Sequence, residues 1–271
     1  MKIINKMLLL LLLFVIVAGC QKMDRPALGD YPKDANPPGG PLKFYVAFDG
    51  TETNPIFNAV DSIRANYPSL NTMKTIDGVI GKAVQGELGK EIKYPSANEW
   101  AASSSFAVAF WMKHNVAPEK EAQFIFSIPS TVGHWSNATM FLFLDHKGAG
   151  TTLSNAVMKF FVVDSKGEKW FEFNGAKSIT NLLDNSWHHL VFSYDESTSV
   201  MTLYKDGVVF NTIDWAGHGK ISIVTDKVSG FKIAGKTTDW GETWQGGLDQ
   251  FRLYGKALSA AEVTELFSGK K

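Results

Sequence analysis

Apolar and polar residues alternate over short stretches through most of the chain, and turn-forming residues interrupt them at regular intervals. Leu42–Phe48, Phe106–Met112, Phe124–Ile128, Met140–Leu144, Val157–Val163, Lys169–Phe173, Trp187–Tyr194, Val200–Tyr204, Val208–Ile213, Phe231–Ala234 and Leu248–Tyr254 each predict a strand. In the last of these, Leu248, Gln250, Arg252 and Tyr254 fall on one face and Asp249, Phe251 and Leu253 on the other. Met140–Leu144 and Val157–Val163 are apolar on both faces. That predicts mid-sheet positions, with one face in a core and the other under loops or a groove. Asp206-Gly207 suits a tight hairpin turn needing positive φ, and Asp164-Ser165-Lys166-Gly167 suits a four-residue loop.

A clear helical period occurs at the C-terminus. Ser259 stands three residues before Glu262, so its hydroxyl can cap the first turn while the carboxylate reaches back to the Ser259 amide. Val263, Leu266 and Phe267 make one apolar stripe, and Gly269 supplies a stop. A weaker turn falls near Asn58–Arg64. The pattern predicts an all-β fold: a two-sheet antiparallel jelly-roll sandwich with a short C-terminal capped helix.

The N-terminus is organised differently. Lys2 and Lys6 precede an apolar run, Met7–Ala18, of about 12 residues, where a membrane-spanning helix needs about 20. It therefore predicts a secretory signal over residues 1–19, a transmembrane anchor being the alternative. The chain's one cysteine ends Val17-Ala18-Gly19-Cys20, which resembles a lipoprotein cleavage box with Cys20 acylated. Several acyl chains, at about 0.8 kcal/mol per buried methylene, would hold the protein on a membrane essentially permanently. Residues 20–41 are rich in Pro and Gly without hydrophobic period and predict an extended tether. The rest, residues 42–271, suits one large sandwich. The expected location is the outer membrane or cell surface of a Gram-negative bacterium.

Composition narrows the chemistry. With 27 basic and 27 acidic residues and no basic run, nucleic-acid binding is disfavoured. With Cys20 acylated, neither a disulfide nor a thiolate metal site remains. At 45% hydrophobic residues, the core can support itself.

Three stretches resemble the laminin-G-like or concanavalin-A-like jelly rolls. GGLDQFRLYGKALSAAEVTELFSG, at Gly246–Gly269, is similar to the family's closing G-x-[IL]-D-x-[FV]-R-[LI]-Y strand and a-L-S-x-x-E helix. SWHHLVFSYDESTSVMTLYKDGVV, at Ser186–Val209, resembles its W-H-H hairpin, and FAVAFWM, at Phe106–Met112, its early tryptophan strand. The resemblance spans roughly Leu42 to Phe267 and implies the fold strongly. It implies little about function, because this fold carries lectins, glycanases and adhesion modules alike. It also implies a calcium ion between the first and last strands, with Asp49 and Asp249 as carboxylate ligands. A hard cation would need carbonyls and water beside them, and the alternative is that both aspartates simply hold loop amides.

Glucanases of this fold carry E-x-D-x-x-E or a close variant on one strand face, and no such motif occurs here. Glu168 and Glu172 share a strand face with Trp170 between them, but four residues of strand separate them by about 13 Å. Glycoside hydrolysis uses carboxyls about 5–9.5 Å apart, so hydrolysis is disfavoured. His188 and His189 point opposite ways and are read as strand histidines holding neighbours by hydrogen bonds, rather than as a catalytic or metal pair. Of the 8 tryptophans, Trp111 and Trp187 match family core positions. Trp100, Trp135, Trp215, Trp240 and Trp244 sit in polar, Gly-rich segments, where an exposed indole suits stacking on a sugar ring. The alternative for each is packing over an end of the sandwich.

The expectation is a carbohydrate-binding lipoprotein using Trp170, Glu168, Glu172, Trp135, Trp215, Trp240 and Trp244, with a polysaccharide or oligosaccharide as ligand. A protein-binding adhesion module and a glycosidase are the alternatives.

Overall fold

The computed structural model describes residues 40–49, 70–97 and 99–270. The expected signal segment, Cys20, nearly all of the expected tether and the turn expected near Asn58–Arg64 lie outside these residues.

In chain order the strands are β1 (Leu42–Val46), β2 (Leu70–Asn71), β3 (Lys74–Asp77), β4 (Lys82–Gln85), β5 (Ile92–Tyr94), β6 (Phe106–Lys113), β7 (Gln123–Pro129), β8 (Ala138–Leu144) and β9 (Asn155–Ala156). They continue with β10 (Met158–Asp164), β11 (Gly167–Phe173), β12 (Ile179–Thr180), β13 (His188–Asp195), β14 (Val200–Lys205), β15 (Val208–Asp214), β16 (Phe231–Ile233), β17 (Glu242–Thr243) and β18 (Gly247–Tyr254). The first sheet runs β15-β14-β13-β6-β18-β4-β3, with β1 also paired to β18. The second runs β11-β10-β8-β7-β16-β5-β2, with β17 paired parallel to β7.

Aromatic rings from the facing sides fill the space between the sheets. Phe126 of β7 meets Phe251 of β18 edge-on at 5.8 Å, and Phe160 of β10 lies 5.6 Å from Phe106 of β6 and 5.5 Å from Phe192 of β13. All five rings are essentially inaccessible to water. This is the two-sheet sandwich that the alternation predicts, and its dry interior supplies most of the folding free energy.

The Asp206-Gly207 turn takes φ of 52° and 84°, as a tight hairpin turn requires. The capping box is also present. Ser259 Oγ accepts from the Glu262 amide, and the Glu262 carboxylate accepts from the Ser259 amide at 2.8 Å. The helix α1 (Ala260–Gly269) buries Val263 against the outer side of the first sheet and stacks Phe267 on Trp111 at 5.5 Å. Its left-handed cap is Lys270, at φ 47°, rather than Gly269.

β18 departs from simple alternation. Gln250 takes φ 47° and the register against β6 shifts between Asp249 and Arg252. One residue is thereby inserted, so Leu248 joins Phe251 and Leu253 in the core instead of facing away from them. Trp111 is buried beneath α1, whereas Trp187 is partly exposed just before β13. His188 shares hydrogen bonds with Asp206 at 2.8 Å and Asp184 at 3.0 Å. His189 instead is sealed against Trp111, with neither ring nitrogen partnered among the described residues. Burial, followed by the charge of Arg252, pushes its pKa down to about 3.

Candidate functional site

The two-faced strands β8 and β10 sit inside the second sheet, and their outer side carries a second cluster of aromatic rings. Leu142, Phe160 and Phe171 turn into the core, so alternation turns Phe141, Phe161 and Trp170 outward. The register sets Phe141 opposite Phe161, and Phe161 opposite Trp170, giving one row of rings across β8, β10 and β11. The adjoining row runs Phe124, Phe143, Lys159 and Glu172 from β7 to β11. On the far side of Trp170, Glu168 stands opposite Val163.

The phenylalanines of this face are covered, with Phe124, Phe141 and Phe161 at 0% exposure and Phe143 at 3%. Three indoles do the covering. Trp135, from the β7–β8 loop, is 51% exposed and lies parallel to Trp170, 6.0 Å away at 13°. Trp240, from the β16–β17 loop, is 37% exposed and stands edge-on to Phe143 at 5.5 Å and to Phe141 at 6.3 Å. Trp170 meets the same two rings at 6.0 and 5.5 Å. One phenylalanine floor thus seats indoles from both loops and from the edge strand.

Polar contacts hold the roof in place. Thr237 Oγ1 donates to the Ser136 carbonyl at 2.8 Å, tying together the loops that carry Trp240 and Trp135. Trp135 Nε1 donates to Glu168 Oε2 at 3.4 Å, and the same oxygen lies 2.9 Å from His134 Nε2. Gly241, at φ 76°, follows Trp240 where a Cβ would come within 2.5 Å of Phe124. Only glycine leaves room there for the loop to close down. Beyond the floor, Lys159 Nζ lies 3.0 Å from Asp145 Oδ2 and 3.9 Å from Glu172 Oε1, and Asn174 donates to Glu172 at 2.8 Å. Flat apolar ring faces bordered by carboxylates and amides suit a ligand with apolar faces and hydroxyl edges.

With this geometry in view, residues 86–264 match the family model described as the concanavalin A-like lectin/glucanases superfamily. The chain belongs to that superfamily. Similar solved structures agree on the fold of this concanavalin A-like domain. The binding domain of Paraclostridial Mosquitocidal Protein 1 superposes with a TM-score of 0.59 at 16% identity, over 84% of this chain and 52% of that one. Domain 4 of AbnA, an extracellular GH43 arabinanase from Geobacillus stearothermophilus solved in complex with arabinotriose, gives 0.54 at 19% identity, over 83% and 97%. The binding domain of Botulinum Neurotoxin DC, solved with SialylT and with rat synaptotagmin II, gives 0.59 and 0.58 at 10% identity, over 85% of this chain and 52% of that one in each case. The concanavalin A-like chain therefore spans about half the length of these toxin binding domains. A comparison with curated proteins finds no match.

Two expected platform residues lie elsewhere in the concanavalin A-like sandwich. Trp244 is 0% exposed, packed against His114 at 4.8 Å inside the core, so it presents no face to a ligand. Trp215 stacks on His218 and lies edge-on to the inward ring of Phe171 at 6.1 Å, closing one end of the sandwich. Trp100 is also buried and donates to the Tyr254 carbonyl at 2.8 Å. The phenylalanine floor, His134, Asp145 and Lys159 were not expected, although apolar residues on both faces of β8 and β10 signal the floor.

Asp49 and Asp249 hold the β3–β4 hairpin between them. Asp249 Oδ2 accepts from the Val79 amide at 2.7 Å, and Asp49 Oδ1 accepts from the Lys82 amide at 2.5 Å. Asp249 is completely buried, and its Oδ1 has no hydrogen-bond partner among the described residues. Burial raises its pKa to about 7, and the charge of Asp49 adds to the rise. An orphaned buried carboxylate oxygen beside a second carboxylate fits a hard cation. Among the described residues, no group of three or more His, Cys, Asp or Glu converges to hold a metal. The other ligands would therefore be backbone carbonyls and water.

Proposed function

We propose that this protein is a lipid-anchored, extracytoplasmic glycan-binding protein whose second sheet presents Trp135, Trp170 and Trp240 to a saccharide. The observation carrying this reading is that three indoles, two of them substantially exposed, share one buried phenylalanine floor. Covering the exposed apolar face of an indole is favourable, and its quadrupole complements the C–H faces of a pyranose or furanose. Glu168 is the main polar partner, because it already fixes the Trp135 edge and its side chain is 45% exposed. Glu172 plays the same part on the other side of Trp170. The arabinotriose and SialylT complexes of similarly folded domains support this reading.

On this proposal the domain sits at the outer membrane or cell surface, spaced from lipid by residues 20–41, a reading supported by the apolar run Met7–Ala18 and the Val17-Ala18-Gly19-Cys20 box. A glycan array probed with the full chain tests the binding claim. It expects retained saccharides with the parent and loss of them with Trp170→Ala, whereas a parent that retains none refutes it.

A protein ligand is the second reading, since exposed tryptophans also make interface hot spots and one neurotoxin domain was solved with rat synaptotagmin II. Co-purification of a stable partner through this face would favour it. We also propose that Asp49 and Asp249 bind calcium, on the strength of the unpartnered Asp249 oxygen. When bound, the ion would supply positive charge that neutralises both carboxylates and ties β18 to the β3–β4 hairpin.

A further inference from the structure

The charge on the aromatic face is uneven, and this constrains what can lie on it. Glu168 and Glu172 flank Trp170 along the edge strand, with side chains 45% and 42% exposed. Glu168 has His134 and the Trp135 indole N–H as partners, while Glu172 has Asn174 and a distant Lys159. The Lys159 ammonium sits closer to Asp145, at 3.0 Å, so a buried carboxylate answers its charge before Glu172 does. At the opposite end, Lys236 donates to the Asp239 and Trp240 carbonyls, and Glu121 accepts from the Gly241 amide at 3.0 Å. Lys232, on the outward row that continues from Phe141 through Ser127, and Lys93 beside it share Glu91 at 3.3 and 3.0 Å. That end therefore carries no negative excess, and the carboxylate excess of the face lies around Trp170.

The indoles also define a direction. Trp170 lies on β11, and Trp240 lies over β7 and β8 through Phe124 and Phe143. Both indoles meet Phe143, at 6.0 and 5.5 Å, which holds their centres within ~11 Å of each other, about two strand spacings of roughly 4.8 Å across the strands rather than along them. That is the length of a short oligosaccharide, not of a single sugar. A chain laid along this line crosses Trp170 between the two glutamates. Carboxylates are acceptors only, so they can be satisfied there by hydroxyl or N–H donors and not by groups that offer acceptors alone.

We propose that the platform selects an uncharged polysaccharide, laid across β11, β10, β8 and β7, and turns away chains bearing carboxylate or sulfate groups, with Glu168 and Glu172 as the residues that enforce the choice. This rests on the glycan reading of the same face. An anionic sugar brought within about 4 Å of either glutamate would lose roughly tenfold or more in affinity at low salt. Added salt would shrink the penalty, because these side chains reach solvent.

The test is a titration of the full chain with soluble arabinan, mixed-linkage β-glucan and hydroxyethyl cellulose against polygalacturonate and alginate, at 20 mM and 500 mM salt. The expected result is binding to at least one neutral polymer, with the uronate polymers at least ~10-fold weaker at low salt. The Glu168→Gln, Glu172→Gln double variant, checked for an unchanged melting temperature, should weaken the neutral ligand, whose hydroxyls these carboxylates hold, yet narrow the neutral-to-uronate ratio and flatten its salt dependence. Tighter binding of a uronate polymer than of every neutral one, or a gap unmoved by the double variant, overturns the charge selection but leaves the platform standing. Failure to bind any of the five overturns the glycan reading, and this inference with it.

Discussion

Trp135 stacks on Trp170 at 6.0 Å and 13°, although one belongs to the β7–β8 loop and the other to the edge strand β11. The pair is fixed from below by Phe161, which lies 5.5 Å from the first and 4.8 Å from the second, and from the side by Glu168. Neither indole therefore needs to be ordered when a ligand arrives, which lowers the entropic cost of binding.

Separate effects are expected for the exposed and buried tryptophans. Trp135→Ala or Trp240→Ala should weaken glycan binding roughly tenfold each, about 1.4 kcal/mol, with little change in melting temperature. Trp244→Ala should cost about 3–5 kcal/mol of stability instead, because it opens a cavity in the core. Calorimetry on each variant, set beside a binding isotherm, checks the division.

Asp249 predicts an unusual pH response in calcium-free protein. Its folded pKa of about 7 lies above the ordinary carboxylate value, so the contribution is fully present below about pH 4 and is lost as pH rises through 7. The loss should be on the order of 2–4 kcal/mol, and Asp249→Asn should abolish it. At pH 8, millimolar calcium should raise the parent's melting temperature and leave that of Asp249→Asn unchanged. Thermal melts from pH 4 to 8, with and without chelator, measure both effects.

Two buried histidines act in the opposite direction. Burial lowers His189 to about 3 and His114 to about 4, so an unfolded chain takes up protons near pH 6.5 that the folded one refuses. Their contribution is present above pH 6.5 and is lost as pH falls towards 4 and 3. His189→Phe should flatten the acid limb of the stability curve, measured by urea unfolding between pH 3 and 7, provided the ring still packs on Trp111 and Phe267.

Membrane attachment should depend on one thiol. Cys20→Ala is expected to move the protein from the membrane to the soluble fraction, and metabolic labelling with a fatty-acid analogue should fail in that variant. A variant that still fractionates with membranes and still labels would contradict lipidation at Cys20.

Much of this architecture was legible in the residues. Asp206-Gly207 and the Ser259–Glu262 pair specify local geometry through their own chemistry, and both form as expected. The floor was half legible, since Phe141, Phe143 and Phe161 had to point somewhere other than the core. Trp240 and Trp244 show where such reading stops. Four residues apart in one polar segment, they divide into surface and core because β17 pairs with β7 just after Gly241, a tertiary fact with no local signature. The bulge at Gln250 is hidden for a similar reason, because nothing in the side chain announces a left-handed backbone. The short strands β3 and β4 were missed because Lys74–Asp77 and Lys82–Gln85 carry little apolar alternation and pair at the margin of their sheet.

Affinity electrophoresis bears most directly on the central claim. The full chain is run through native gels containing one neutral polysaccharide each, beside a Trp135→Ala, Trp170→Ala double variant of matched stability. The expected result is retardation of the parent in at least one gel and free migration of the variant in the same gel. Equal retardation of both, or free migration of the parent in every gel, would contradict a saccharide platform built on these indoles.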